Sequence, residues 1–83
     1  MIVTTYKGVL KIYKNLSGNS GIKAYDIGDD FIIVAFVTGD IYRYDYSMPG
    51  KEHVENMKYL AQEGFGLSAY LSKAVKGKYA RKL

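Results

Sequence analysis

Phe31-Ile32-Ile33-Val34-Ala35-Phe36-Val37 is the stretch on which the reading of the fold turns. It is an unbroken apolar run, rich in β-branched and aromatic side chains, and far shorter than the roughly twenty residues a membrane-spanning helix needs. Both of its alternating faces are apolar, which predicts a central strand covered on both sides. Downstream, Thr38-Gly39-Asp40 is a hairpin turn and Ile41 to Tyr46 returns as the next strand. Upstream, Ile22 to Ile27 reads as a strand that reaches the run through the turn Gly28-Asp29-Asp30. Further back, Asn15 to Gly21 is rich in turn formers, and Ile2 to Tyr6 and Val9 to Lys14 flank Lys7-Gly8 as an N-terminal hairpin extension over residues 1–15.

After the strands the period changes. Ser47-Met48-Pro49-Gly50 breaks the sheet at the only proline. Lys51 to Glu63 then carries Val54, Met57, Leu60 and Ala61 at helical spacing, acids in its first turns, and Gly64 as a stop. Beyond the Gly64-Phe65-Gly66 hinge, Ser68 is placed to cap a second helix over Ala69 to Lys76, with Leu67, Leu71, Ala74 and Val75 as its apolar face and Gly77 as its end. The expectation is one α+β domain over 1–83, an antiparallel β-meander of about four to five strands followed by two short C-terminal helices.

The chain of 83 residues has no cysteine, which points to a reducing, cytoplasmic setting, and its start lacks the basic and apolar regions of a signal peptide. Its formal net charge of +4 is unevenly spread. Residues 1–23 carry +4 through Lys7, Lys11, Lys14 and Lys23, and residues 67–83 carry +5 through Lys73, Lys76, Lys78, Arg81 and Lys82. All eight acids fall between them. Basic ends around an acidic middle suit an anionic partner, and suit equally a pair of solvated faces.

The order of these elements resembles the KTSC domain. The likeness runs from Tyr25-Asp26 through Phe36-Val37-Thr38-Gly39-Asp40, Tyr42-x-Tyr44 and Pro49. It continues through a helix ending near Ala61 and the Gly64/Gly66 pair, and closes on Val75-Lys76-Gly77-Lys78-Tyr79, so that a family-like core spans 22–79. The resemblance implies a small α+β domain of a kind that occurs alone, including in phages, or appended to some lysyl-tRNA synthetases. It brings no catalytic residues with it.

The residues themselves offer little for catalysis. With no cysteine and a single histidine, Cys–His chemistry is excluded, a Ser-His-Asp triad could use only His53, and a structural zinc site is not expected; His53 is expected to face solvent on the first helix. Gly77-Lys78 imitates the end of a P-loop, but Ser72 stands where the first glycine would be and Tyr79 where a Ser or Thr would meet magnesium. Asp26, Asp29 and Asp30 lack calcium-loop spacing. Gly18-Asn19-Ser20-Gly21 is either a plain loop or a nest of N–H groups for an anion. No enzyme activity, metal or cofactor is expected.

Binding is better supported. Nine tyrosines are an excess for this length, and Tyr42, Tyr44 and Tyr46 share one face of one strand while Ile41, Arg43 and Asp45 share the other. Such a stripe either stacks on bases or packs under the helices with its hydroxyls at the rim. The C-terminal lysines interleave with Tyr70 and Tyr79, and they either hold phosphate or complement the helix dipole. The expected function is a non-enzymatic module for a phosphate-rich anion, first RNA or another single strand, with Tyr42, Arg43, Tyr44, Lys73, Lys76, Lys78, Tyr79 and Arg81 as the ligand-binding residues. The alternatives are a phage-type oligomer that sequesters a nucleotide signal and a protein-interaction or inhibitor domain. A homodimer is expected, because a chain this small has little core and the N-terminal hairpin leaves an unpaired β-edge.

Overall fold

A computed structural model describes residues 8–83. Those residues form a five-stranded antiparallel sheet in the order β1-β2-β3-β4-β5: β1 is Lys11–Ile12, β2 Ile22–Ile27, β3 Phe31–Phe36, β4 Ile41–Asp45 and β5 Arg81–Lys82. The three central strands follow the expected boundaries within one residue. β3 is the middle of the sheet. Its Ile32 and Val34 pair with Ile27 and Tyr25 on one side and with Tyr44 and Tyr42 on the other. Cross-strand partners share a face, so these residues form one apolar layer.

Two helical elements lie over that layer: α1 (Lys51–Glu63), and α2 (Leu67–Tyr70) with its direct π-helical continuation Leu71–Val75. α1 turns Val54, Met57 and Ala61 inward, and α2 with its continuation turns Leu67, Leu71 and Val75 inward at a spacing of four. Ile22, Tyr25, Ile32, Val34 and Tyr44 from the sheet, and Tyr13 just after β1, complete the core. Each such fully buried aliphatic side chain contributes about 1.5–3 kcal/mol. α1 stops at Gly64, which adopts φ 75° and returns its N–H to the carbonyls of Leu60 and Ala61. A side chain there is doubly opposed, by the left-handed backbone and by Lys14 Cβ lying 2.5 Å from where a Cβ would stand. Tyr13 joins the two layers by accepting the Leu67 N–H on its hydroxyl at 3.4 Å.

Several expectations are corrected. The proposed strand Ile2–Tyr6 lies outside the described residues. The second strand shrinks to Lys11–Ile12, and Val37 lies beyond β3 and is exposed. The expected covering of β3 on both sides is met, since Ile32 and Val34 on one face and Ile33 and Ala35 on the other are all buried, while the described helices lie on the first face only. The second helix begins at Leu67 with Gly66 in the cap position, so Ser68 caps nothing with its side chain. Ala74 is exposed, because the inward stripe runs 67, 71, 75.

The largest difference is the C-terminus. Lys76 closes the π-helical turn by donating its N–H to the Leu71 carbonyl at 2.7 Å, and Lys76 and Gly77 then adopt left-handed conformations at φ 53° and 77°. Two such residues in a row reverse the chain. Residues Arg81–Lys82 therefore pair antiparallel with β4, flanked by the bonds Ala80 N–H to Arg43 O and Leu83 N–H to Ile41 O, both 2.8 Å. The basic C-terminal residues, to which the sequence assigns no strand, form an edge strand of the sheet. No helix among the described residues is long and apolar enough to cross a membrane.

Candidate functional site

The reversal at Lys76-Gly77 brings Tyr79 back onto the helix-covered face beside β4. There its ring meets Tyr42 with centroids 4.6 Å apart and planes inclined at 47°. Tyr42 in turn contacts Phe36 edge-on at 5.8 Å and Tyr44 at 6.5 Å. These rings, with Ser68, Leu71 and Ser72 from the helical side and Gly77 from the turn, enclose a cleft of about 320 Å³. That volume is at the lower end of small-molecule sites. Its chemistry is aromatic walls with two hydroxyls four residues apart on one helical face.

Each tyrosine of the stripe has a different place. Tyr44 is 4% exposed and floors the cleft as part of the core. Burial pushes its phenol up to about 12, and the neighbouring Tyr42 and Tyr79 hydroxyls add to the effect. Tyr42 is half-buried, and Tyr79 is 41% exposed at the mouth. Tyr46 stands away from them, donating its hydroxyl to Glu55 at 2.8 Å and lying near Lys58. That hydrogen bond raises the Tyr46 phenol, and the Lys58 and Tyr46 contacts lower the Glu55 carboxyl.

The expected cations divide between the two faces of the sheet. The register puts Lys82 opposite Tyr42, and its ammonium lies 5.8 Å from the Tyr42 ring centroid and 3.5 Å from Asp40. Lys76 and Lys78 flank Gly77 at the cleft edge, both exposed. Lys73 is exposed on the π-helical segment and does not line the cleft. Its expected shared face with Lys76 is lost, because the helix ends before Lys76. Arg43 and Arg81 are cross-strand partners on the opposite face, so they belong to another surface. There Arg43 donates from Nε to Asp45 at 3.0 Å and lies 4.4 Å over the Phe31 ring. Asp45 is held below the usual carboxylate range, first by the Ser47 hydroxyl and then by Arg43.

Two other sequence candidates change character. His53 is half-buried, and its Nδ1 lies 2.7 Å from the Tyr70 hydroxyl, which also accepts from Asn56 at 3.1 Å. It ties α1 to α2 and does not face solvent freely. The Gly18–Gly21 loop spends N–H groups on itself: Gly18 donates to the Asn15 carbonyl and Ser20 to Asn15 Oδ1. That use removes two donors an anion nest would require. The sequence reading missed Phe36, Ser68 and Ser72 as cleft residues. Only the Ser68/Ser72 spacing beside Leu71 signalled them.

Among the described residues no group of three or more His, Cys, Asp or Glu side chains could hold a metal ion. Compared with protein-family models, with curated proteins and with solved structures, the chain matches none, so its likeness to the KTSC domain rests on its own residues.

Proposed function

We propose that the protein is a non-enzymatic binding module of the KTSC type for a phosphate-bearing ligand that presents a nucleobase, in the first instance RNA or another single strand. The observation that carries this is the Tyr42–Tyr79 pair in its cleft, with the Lys82 ammonium 5.8 Å from the Tyr42 ring and Lys76 and Lys78 at the edge. An aromatic face beside a flexible cation is how proteins hold a base and its phosphate together without reading sequence. The left-handed Lys76 adds support, because non-glycine residues held at positive φ cluster at ligand-binding turns. The cleft lining contains no carboxylate or imidazole, and its buried phenol stays protonated at neutral pH, which supports binding over catalysis.

A free nucleotide is the second reading. The concave shape of the cleft and the separation of Arg43 and Arg81 onto the other face favour it, since they leave no continuous basic track. Self-association as a dimer remains part of the proposal: β1 pairs through only two residues and leaves Ile12 and Val9 exposed at that side. Sedimentation that finds only monomer at high micromolar concentration would remove it.

Fluorescence anisotropy of a labelled single-stranded oligonucleotide, titrated across salt, tests the main reading. Affinity should fall steeply with salt, and changing Lys76 and Lys78 together to Glu should weaken it about tenfold or more and flatten the salt slope. A mononucleotide that raises Tm with little salt dependence would favour the second reading. Failure of both ligands would refute the proposal.

A further inference from the structure

A second concavity of about 360 Å³ adjoins the tyrosine cleft, and the two share the wall residue Ser68. Its lining differs from that of the first. Tyr13 and Phe65 supply rings, and Ser17, Asn19 and Ser20 supply hydroxyl and amide groups from the loop before β2. Among the described residues that line it, none carries a charged side chain. Phe65 is 58% exposed, in the middle of the three-residue link between α1 and α2. Gly64 and Gly66 on either side both adopt left-handed conformations, so the backbone that presents the ring is sharply bent. An exposed phenylalanine beside hydroxyl and amide groups has the composition of a surface that stacks a flat ring and hydrogen-bonds its edge.

The helical side sets the spacing of the two cavities. Gly66, Ser68 and Ala69 face the second cavity, and Ser68, Leu71 and Ser72 face the first. Ser68 is thus the wall between the two cavities, with Phe65 on one side of it and Tyr42 and Tyr79 on the other. One shared wall residue between two ring-bearing hollows is the arrangement that two neighbouring bases joined by a sugar–phosphate link would require. The cations Lys76, Lys78 and Lys82 lie at the tyrosine end, while Lys14, against Gly64, is the cation nearest the Phe65 end.

We infer that the site takes a two-base unit, one base held against Tyr42 and Tyr79 and the next against Phe65, with the linking sugar crossing Ser68. This rests on the reading of the tyrosine cleft as a base site and extends it to the length of ligand recognised. It also joins the two earlier readings, since a short nucleotide-like molecule or two steps of a strand would fill the same groove.

Calorimetric titration of adenosine 5′-monophosphate and of the 5′-phosphorylated adenosine dinucleotide into wild type, Phe65→Ala and Tyr79→Ala tests the inference. Both replaced side chains are substantially exposed, so the variants retain the core. The dinucleotide should bind wild type about tenfold tighter than the mononucleotide, the effect of one added stacking contact. Phe65→Ala should reduce the dinucleotide to mononucleotide affinity and leave the mononucleotide unchanged. Tyr79→Ala should weaken both. Equal affinities with a silent Phe65→Ala overturn the two-base inference, and a Tyr79→Ala loss in the same data leaves the single-base reading standing. No heat with either ligand on wild type overturns both.

Discussion

The two faces of the sheet are built from the same strands and end up unlike each other. On one, Ile32, Val34 and Tyr44 lie beneath Val54, Met57, Leu67 and Val75, and every one of these is buried by apolar neighbours. On the other, Ala24, Ile33 and Ala35 are equally buried, yet no described helix covers them. Arg43 lies over Phe31 and is held by Asp45, while Leu10, Ile12, Lys23 and Ile41 border a shallow apolar hollow. The comparison teaches that burial of a strand residue does not tell what buries it. The candidate site lies at the edge of the helical cover, at Tyr42 and Tyr79, where part of the aromatic layer opens into the cleft.

The largest effect that would break this comparison is mutational. Ile32→Ala should cost about 3–4 kcal/mol in chemical denaturation, because the void is closed between sheet and helices and cannot collapse. Ile33→Ala should cost less, about 2 kcal/mol, since Arg43 opposite it is a flexible side chain that can settle into the gap. Equal costs would mean that the second face is as rigidly covered as the first.

A smaller effect sharpens the comparison through pH. The Tyr44 phenol is raised from 10.0 to about 12 in the folded state. Between those values the unfolded chain has released that proton and the folded chain retains it, so stability is fully present below pH 10 and declines as pH rises toward 12. The loss over that window is at most about 2–3 kcal/mol. Tyr44→Phe should flatten the decline measured by denaturation at pH 9, 10 and 11. An unchanged slope would place the phenol in water and remove it from the floor of the cleft.

Much of the covered face was legible in the sequence. The run at Phe31, the hairpin at Gly39 and the spacing of Val54, Met57 and Ala61 each follow from a period and a turn residue, and those signals are local. The C-terminal strand was not legible, because Arg81–Lys82 is two residues long and has no apolar alternation, and its pairing depends on a backbone reversal at a lysine. The His53–Tyr70 contact joins residues seventeen apart on different elements, with no pattern to announce it. Arg43 is a different case. The two-residue period of β4 already separated it from Tyr42 and Tyr44, and grouping the three as one ligand surface set charge above geometry.

The central claim is that ligand binds where the helical cover ends and not on the open face. It is tested most directly by backbone amide NMR of the uniformly labelled protein during titration with a short single-stranded adenosine oligonucleotide. The account predicts the largest shifts at Tyr42, Ser72, Gly77 and Tyr79, with Ile12, Ala24 and Ile41 unmoved. Shifts concentrated at Ile12, Ala24 and Ile41, or none at all, would contradict it.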